Sequence, residues 1–154
     1  MSPLINAVTA VALGAVPVPA QPVSVSGVGR IVLTPADADG HPVWFGVRGD
    51  RFWFRHLLPD GSLVARGWAA VTCLRVTGRV AEFTAVVPEG VGPIRNHAFV
   101  VKIIDGGRRP DQVAFVQASG GPERPPTRCF DLDAEFPGRP RHQVLAGGYV
   151  VRGS

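Results

Sequence analysis

The segment DGGRRPD, from Asp105 to Asp111, holds the densest group of residues that could carry chemistry. It combines the carboxylates of Asp105 and Asp111 with the guanidiniums of Arg108 and Arg109. The carboxylates could bind a cation and the arginines a phosphate. A Ca²⁺ loop, however, needs more oxygen ligands at short alternating spacing, and the two arginines would repel the ion. Asp, Gly and Pro are also typical turn residues. We therefore predict a polar turn between two strands, with a binding site as the alternative.

His56 is the histidine with the clearest candidate role. Alternation in RFWFRHLL, residues 51–58, places it on the same face as two phenylalanines, which we predict to be the core side. It is either a packed ring at the end of a strand or a general base or polar contact in an internal pocket. In the second case its neighbours would include Trp44, Trp53 or Tyr149.

The tryptophans suggest a different kind of site. Trp44 and Trp53 fall on the face opposite the predicted core, and Trp68 follows in the next strand. Beside Arg51 and Arg55 they could form a platform on which a sugar ring stacks. Cross-strand packing, or a second core face on a sheet covered on both sides, would explain them equally.

No catalytic, metal-binding or cofactor-binding motif accompanies these residues. The chain contains no G-x-S-x-G, H-E-x-x-H, phosphate loop or dinucleotide fingerprint. Most carboxylates stand at predicted turns. Glu82 is the exception, since it lies in mid-strand between two residues predicted to face the core, and we expect it to face solvent.

Cys73 and Cys129 are the only cysteines. They form no C-x-x-C and no cluster with histidine, so a zinc site is not predicted. In an exported domain an even pair indicates one disulfide. Two separate buried thiols are the alternative.

The elements that must position these residues are strands. Of 154 residues 45% are hydrophobic, with 19 Gly and 15 Pro, and turn signals interrupt the apolar stretches every eight to twelve residues. We predict a single β-domain over residues 24–152: an antiparallel β-sandwich or closed barrel of about nine to ten strands, with no core helix. The predicted strands include Pro42–Arg48, Ser62–Trp68 and Ala69–Val76, with a brief pairing over Cys129–Leu132.

The formal net charge is +4, carried almost entirely by arginine. A basic surface can attract nucleic acid, anionic lipid or glycan. The arginines are scattered, however, and the Ala, Val, Gly, Pro and Arg bias is typical of genes of high GC content. Without a basic cluster or a nucleic-acid motif, no nucleic-acid partner is predicted.

The first 20 residues resemble a secretory signal. An apolar stretch, Ala7–Val16, ends in small residues and prolines, with V-P-A at Val18–Ala20. No Lys or Arg precedes it, and it is too short to span a membrane. We expect a secreted or cell-envelope protein, or a cytoplasmic one if this leader is not a signal.

The order of motifs from Val25 to Arg152 resembles the post-COAP-like domains, small secreted β-domains of high-GC bacteria. The resemblance rests on a G-x-G-x-[IV] opening, a V-x-G-x-x-A hairpin, a D-x-G-x-x-x-D turn and a final L-x-G-x-[YI]-x-V strand. The last strand has Gly147-Gly148 where the family often has Gly-Asn. The resemblance implies export and a β-sandwich-like module, and it carries no enzymatic activity over.

Two functions follow as hypotheses. The first is a non-enzymatic extracellular β-module that is structural or binds carbohydrate or protein. The second is a small barrel that binds a hydrophobic small molecule in an internal pocket and acts as a cyclase-like or isomerase-like enzyme. The second predicts a cavity of roughly a few hundred Å³ lined by His56 or a tryptophan.

Overall fold

The computed structural model describes residues 22–88, 97–119 and 124–153. The predicted leader, residues 1–20, lies outside them. The described residues form nine antiparallel strands and one turn of helix, which confirms the all-β fold class without a core helix. The elements are β1 (Ser24–Val32), β2 (Pro42–Arg48), β3 (Arg51–Leu57), β4 (Leu63–Thr77), β5 (Val80–Val86), β6 (His97–Ile104), β7 (Gln112–Ser119), α1 (Leu132–Glu135), β8 (His142–Gln143) and β9 (Ala146–Arg152).

One segment of the chain joins the two edges of the sheet. Strands β1 to β7 lie side by side in chain order, β8 pairs with β7, and β9 pairs with β1. Between β8 and β9, the N–H of Val144 donates to the carbonyl of Asp111, and the N–H of Leu145 donates to the carbonyl of Arg30, both at 2.8 Å. The sheet therefore curls into a barrel-like shape, and β7 and β1 are both paired rather than left as open edges.

The concave face carries the main hydrophobic core. Alternating side chains of the strands point to it, so that Phe45, Phe52, Phe54, Phe83 and Phe99 all meet inside. The ring centroids of Phe54 and Phe99 lie 4.9 Å apart, and those of Phe52 and Phe83 lie 5.5 Å apart. These are ordinary packing distances for aromatic pairs.

Tyr149 is part of this core and does not line the cavity described below. Its hydroxyl donates to the carbonyl oxygen of Phe45 at 2.9 Å, and burial raises its pKa. A Cβ at Gly29 would lie 2.6 Å from the Tyr149 ring. The glycine of the opening motif therefore leaves room for the ring where β9 pairs with β1.

Strand β4 runs for 15 residues. The prediction of two strands, Ser62–Trp68 and Ala69–Val76, is wrong. The small residues near the predicted break face large partners on the concave side, with Gly67 opposite Phe54. They leave room for the phenylalanine rings and do not mark a turn. The register of β4 shifts later, between Val71 and Cys73.

Residues 124–141, here called the cover segment, lie on the outer face of β5, β6 and β7. Phe130 and Leu132 pack there against Val100 and Ala114 in a second, smaller hydrophobic cluster. The hydroxyl of Thr84, which is fully buried, donates to the carbonyl of Arg128 at 2.6 Å. This part of the sheet is thus covered on both faces.

The predicted disulfide is confirmed. Cys73 of β4 is bonded to Cys129 of the cover segment, with their Cα atoms 5.3 Å apart. The brief strand expected over Cys129–Leu132 is wrong, because Leu132 begins α1. Asp131 caps this helix by accepting from the N–H of Ala134, and a cap of that kind favours a helical turn.

Candidate ligand-binding cavity

One end of the barrel-like sheet contains a cavity of about 390 Å³. Most of its lining is apolar and continuous with the main core, including the rings of Phe45, Phe54, Phe99 and Phe115. Cavities of this size and character are typical of sites for small molecules. Its polar lining residues are Asp37, His56, Gln117 and Arg139.

Arg139 and Asp37 form a partly buried ion pair at this cavity. A terminal guanidinium nitrogen of Arg139 lies 2.5 Å from Oδ1 of Asp37, and its Nε donates to the carbonyl of Phe115 at 3.1 Å. The side chains are only 25% and 13% exposed, so water screens the pair weakly. The two charges cancel locally, and the backbone contact holds the guanidinium in place beside the cavity.

His142 faces the other oxygen of Asp37 without a hydrogen bond. Its Nδ1 lies 3.3 Å from the carbonyl of Val113, which can only accept, so Nδ1 carries the proton. Burial lowers the pKa of His142, which keeps the ring neutral at pH 7. Its Nε2 is then an acceptor, 3.6 Å from Oδ2 of Asp37, and neither atom has a partner within the described residues. This pair of acceptors is able to take up a proton.

His56, predicted to face the core, does line the cavity. Its Nε2 lies 2.8 Å from Nδ1 of His41, which stands just before β2, so the two rings share one hydrogen bond. Burial, and then the nearby His41, lower the pKa of His56. A neutral His56 can offer its remaining ring nitrogen to a ligand. No local pattern in the sequence predicted that His41 would lie beside His56.

The three tryptophans lie outside the cavity. Trp44 is half-buried, and Trp53 and Trp68 are exposed, all on the convex face of β2, β3 and β4. This is the orientation that alternation predicts for Trp44 and Trp53. The cavity is therefore lined by His56 and not by a tryptophan.

The charged segment DGGRRPD forms the turn between β6 and β7, and backbone groups occupy its carboxylates. Asp105 accepts from the N–H of Gly107 at 2.9 Å and from Arg79. The two oxygens of Asp111 accept from the N–H of Gly106 at 2.8 Å and the N–H of Tyr149 at 2.6 Å. The carboxylates thus shape the turn and attach β9 to it. Arg108 and Arg109 are exposed there and make no ion pair within the described residues.

Glu82 does not face solvent as predicted. It does point away from the core, but the cover segment lies over it. Its carboxylate pairs with Arg75 at 2.5 Å and with Lys102 at 3.5 Å, and it accepts from the N–H of Leu132 at 3.4 Å. The prediction failed because a proline-rich segment with no strand pattern covers this part of the sheet.

Sequence reasoning missed Asp37, Arg139 and His142 as partners at the cavity. Asp37 belongs to a stretch of turn residues, and the other two belong to the proline-rich segment near the end of the chain. Asp37 and Arg139 are separated by 102 positions, and no local pattern links them. The only signal for these three residues in the sequence was that ionisable side chains stand in segments that otherwise contain turn formers.

Comparison with protein-family models, with curated proteins and with solved structures found no match. The resemblance to post-COAP-like domains therefore stays a prediction. In the part of the chain that the structure describes, no three His, Cys, Asp or Glu side chains are placed to hold a metal ion. No helix among these residues is long and apolar enough to cross a membrane.

Proposed function

We propose that the protein binds a small, largely apolar molecule in the cavity lined by His56 and Arg139. The observation that carries this proposal is the cavity itself. It is a half-open pocket of about 390 Å³ whose walls include four phenylalanines, and concave, mostly apolar pockets of this size are where proteins bind small molecules. The geometry thus favours the small-molecule hypothesis over a module with a filled core.

The electrostatics of the lining favour an uncharged ligand. The charge of Arg139 is cancelled by Asp37, and the lowered pKa of His56 keeps its ring neutral at pH 7. A charged ligand would lose its hydration without gaining an opposite charge. His56, Gln117 and Arg139 instead offer hydrogen bonds to a hydroxyl or carbonyl group on an apolar body.

Chemistry on the ligand is the second element of the proposal. Asp37 and the neutral His56 both line the cavity, and the buried His142 lies behind Asp37. An imidazole that is neutral at pH 7 can accept a proton from a bound ligand and return it at another atom. This is the kind of arrangement that a cyclase-like or isomerase-like reaction would use, with confinement of the ligand as the second contribution.

Binding can be tested with the neutral fluorophore N-phenyl-1-naphthylamine, displaced in turn by naphthalene, 1-naphthol and 1-naphthoate. We expect 1-naphthol to compete best, about tenfold better than naphthalene, because one buried hydrogen bond separates them. The anion 1-naphthoate should compete worst. Equal competition by all three, or preference for the anion, would contradict an uncharged polar ligand.

The site can be tested with two substitutions on the same strand. Ala65 lines the cavity, whereas Ala70 is exposed on the convex face. Ala65→Leu should abolish fluorophore binding without lowering the unfolding midpoint, since it fills empty space. Ala70→Leu is the matched control and should bind normally. Binding that survives Ala65→Leu unchanged would place the fluorophore elsewhere and remove the support for this cavity.

A further inference from the structure

The convex face of β9 and β1 to β4 carries an arrangement of arginines and tryptophans that the cavity does not use. Three rows of side chains cross these five strands, as the pairing registers show. One row is Ala146, Arg30, Trp44, Arg55 and Arg66; the next is Gly148, Val28, Gly46, Trp53 and Trp68; the third is Val150, Ser26, Arg48, Arg51 and Ala70. We call the five arginines and three tryptophans of these rows the Arg–Trp face.

No carboxylate occurs in the three rows, and their arginines make no ion pair within residues 22–88, 97–119 and 124–153. Asp50 and Asp60 lie in the turns at the ends of the strands. Two pairs of arginines stand directly opposite each other, Arg48 with Arg51 and Arg55 with Arg66. Like charges in such positions destabilise a sheet. An external anion would remove that repulsion.

Two of the tryptophans present flat, exposed aromatic surfaces. A Cβ at Gly46 would overlap the indole of Trp53, so this ring lies against the bare backbone of β2. Trp53 is 37% exposed and stands opposite Trp68, which is 44% exposed. The guanidinium of Arg51 lies 5.2 Å from the centre of the Trp68 ring, within the range of a cation–π contact.

We propose that the Arg–Trp face binds an acidic polysaccharide, a chain of pyranose rings that carry carboxylate or sulfate groups. The apolar face of a pyranose ring can stack on an exposed indole, and guanidinium groups pair bidentately with carboxylates. Neighbouring strands repeat at about 4.8 Å, so the rows offer cations at closely spaced positions along an extended polymer. The charge complementarity comes from the five unpaired arginines.

Two other polyanions, nucleic acid and an anionic membrane, fit the same face less well. The disulfide between Cys73 and Cys129 is typical of proteins in oxidising compartments, where extracellular glycans are found. Membrane-binding aromatic residues insert into the headgroup region, whereas Trp53 lies against the sheet. The surface is also convex, while sites for single-stranded nucleic acid are grooves.

The test measures binding of polygalacturonate and heparin against neutral dextran, oligothymidylate and phosphatidylserine vesicles. We expect the acidic polysaccharides to bind, to shift the fluorescence of the exposed tryptophans, and to dissociate as salt is raised. Dextran should not bind. Failure of both acidic polysaccharides to bind, or tighter binding of oligothymidylate or of vesicles, would overturn the proposal.

Substitutions distinguish binding by the Arg–Trp face from binding by the net charge of the protein alone. Arg48→Gln with Arg55→Gln should weaken polysaccharide binding about three- to tenfold, the loss expected for two exposed ion pairs. The control, Arg108→Gln with Arg109→Gln, removes the same charge from the turn between β6 and β7 and should leave binding unchanged. An equal loss in both would mean binding by net charge alone and would contradict the proposal. Trp68→Ala should weaken binding and reduce the fluorescence change.

This inference is independent of the cavity. Ala65→Leu should bind polysaccharide normally, and the Arg48→Gln, Arg55→Gln variant should bind N-phenyl-1-naphthylamine normally. If one substitution abolished both activities, a single site would have to explain them, which would contradict two separate surfaces.

Discussion

The two halves of the convex surface treat charge in opposite ways. On the covered half, over β5 to β7 and the last part of β4, Arg75 and Lys102 pair with Glu82, and Arg141 pairs with Asp133. On the bare half, over β9, β1 to β3 and the first part of β4, arginines face one another without carboxylates.

The difference indicates two roles for the same residue type. On the covered half, the ion pairs and the disulfide attach an irregular segment to the sheet, so the charges there serve the fold. On the bare half, like charges stand opposite each other, which disfavours the fold, and the proposed polysaccharide would use them. The following predictions test this division.

The disulfide should have the largest effect on the covered half. Cys73→Ser with Cys129→Ser removes a link between residues 56 positions apart, and the chain-entropy model gives a loss of about 4 kcal/mol in unfolding free energy. Urea unfolding measures it. A loss under about 1 kcal/mol would mean that packing and ion pairs alone hold the cover segment. Polysaccharide binding by the folded variant should be unchanged.

Glu82 should come next. Glu82→Ala leaves Lys102, whose side chain is 13% exposed, with one fewer acidic partner and removes the acceptor for the N–H of Leu132. We expect a loss of about 2 kcal/mol, less than for a fully buried pair because Arg75 is partly in water. Glu82→Gln keeps an acceptor and is the control that should lose less. Equal stability of Glu82→Ala and the native protein would contradict a structural role.

Acid should loosen the covered half before the bare half. Hydrogen bonding and attraction from Lys102 lower the pKa of Asp133 below its ordinary value. Hydrogen bonds from Arg128 and from the N–H of Asp131 lower the pKa of Glu135 to about 2. Their contribution to stability is complete above the pKa of the unfolded chain, near 4.5 for Glu, and is lost as pH falls toward 2. Amide exchange in residues 124–141 should therefore accelerate over this range before exchange in β1 to β3. Simultaneous acceleration in both halves would contradict the division.

Two arginines on strand β4 give the smallest and most direct comparison. Arg66 lies on the bare half opposite Arg55, and Arg75 lies on the covered half beside Glu82. Arg66→Gln should raise the unfolding free energy by about 0.5 kcal/mol through relief of repulsion. Arg75→Gln should lower it by about 1 kcal/mol. Changes of the same sign in the two unfolding free energies would contradict different roles for arginines on the bare and covered halves.

Prediction succeeded where the signal was local. Strand Pro42–Arg48 has its predicted bounds, and His56 lies on its predicted face. In both cases alternation of apolar residues with a period of two is enough to assign the face. The pattern failed at Glu82 and at the cover segment, because a proline-rich segment of irregular backbone carries no periodic signal of where it packs.

The sequence by itself determined that this chain forms strands and, where apolar residues alternate, which side of a strand enters the core, and its even number of cysteines favoured a disulfide. Alternation involves residues that are close together in the chain, so it can be recognised in the sequence without knowing the fold. Only the tertiary structure decided that residues 142–152 join both edges of the sheet, that Asp37 and Arg139 meet beside a cavity, and that arginines from four strands share one face. Those relations depend on register and closure between segments far apart in the chain, and no local pattern specifies them.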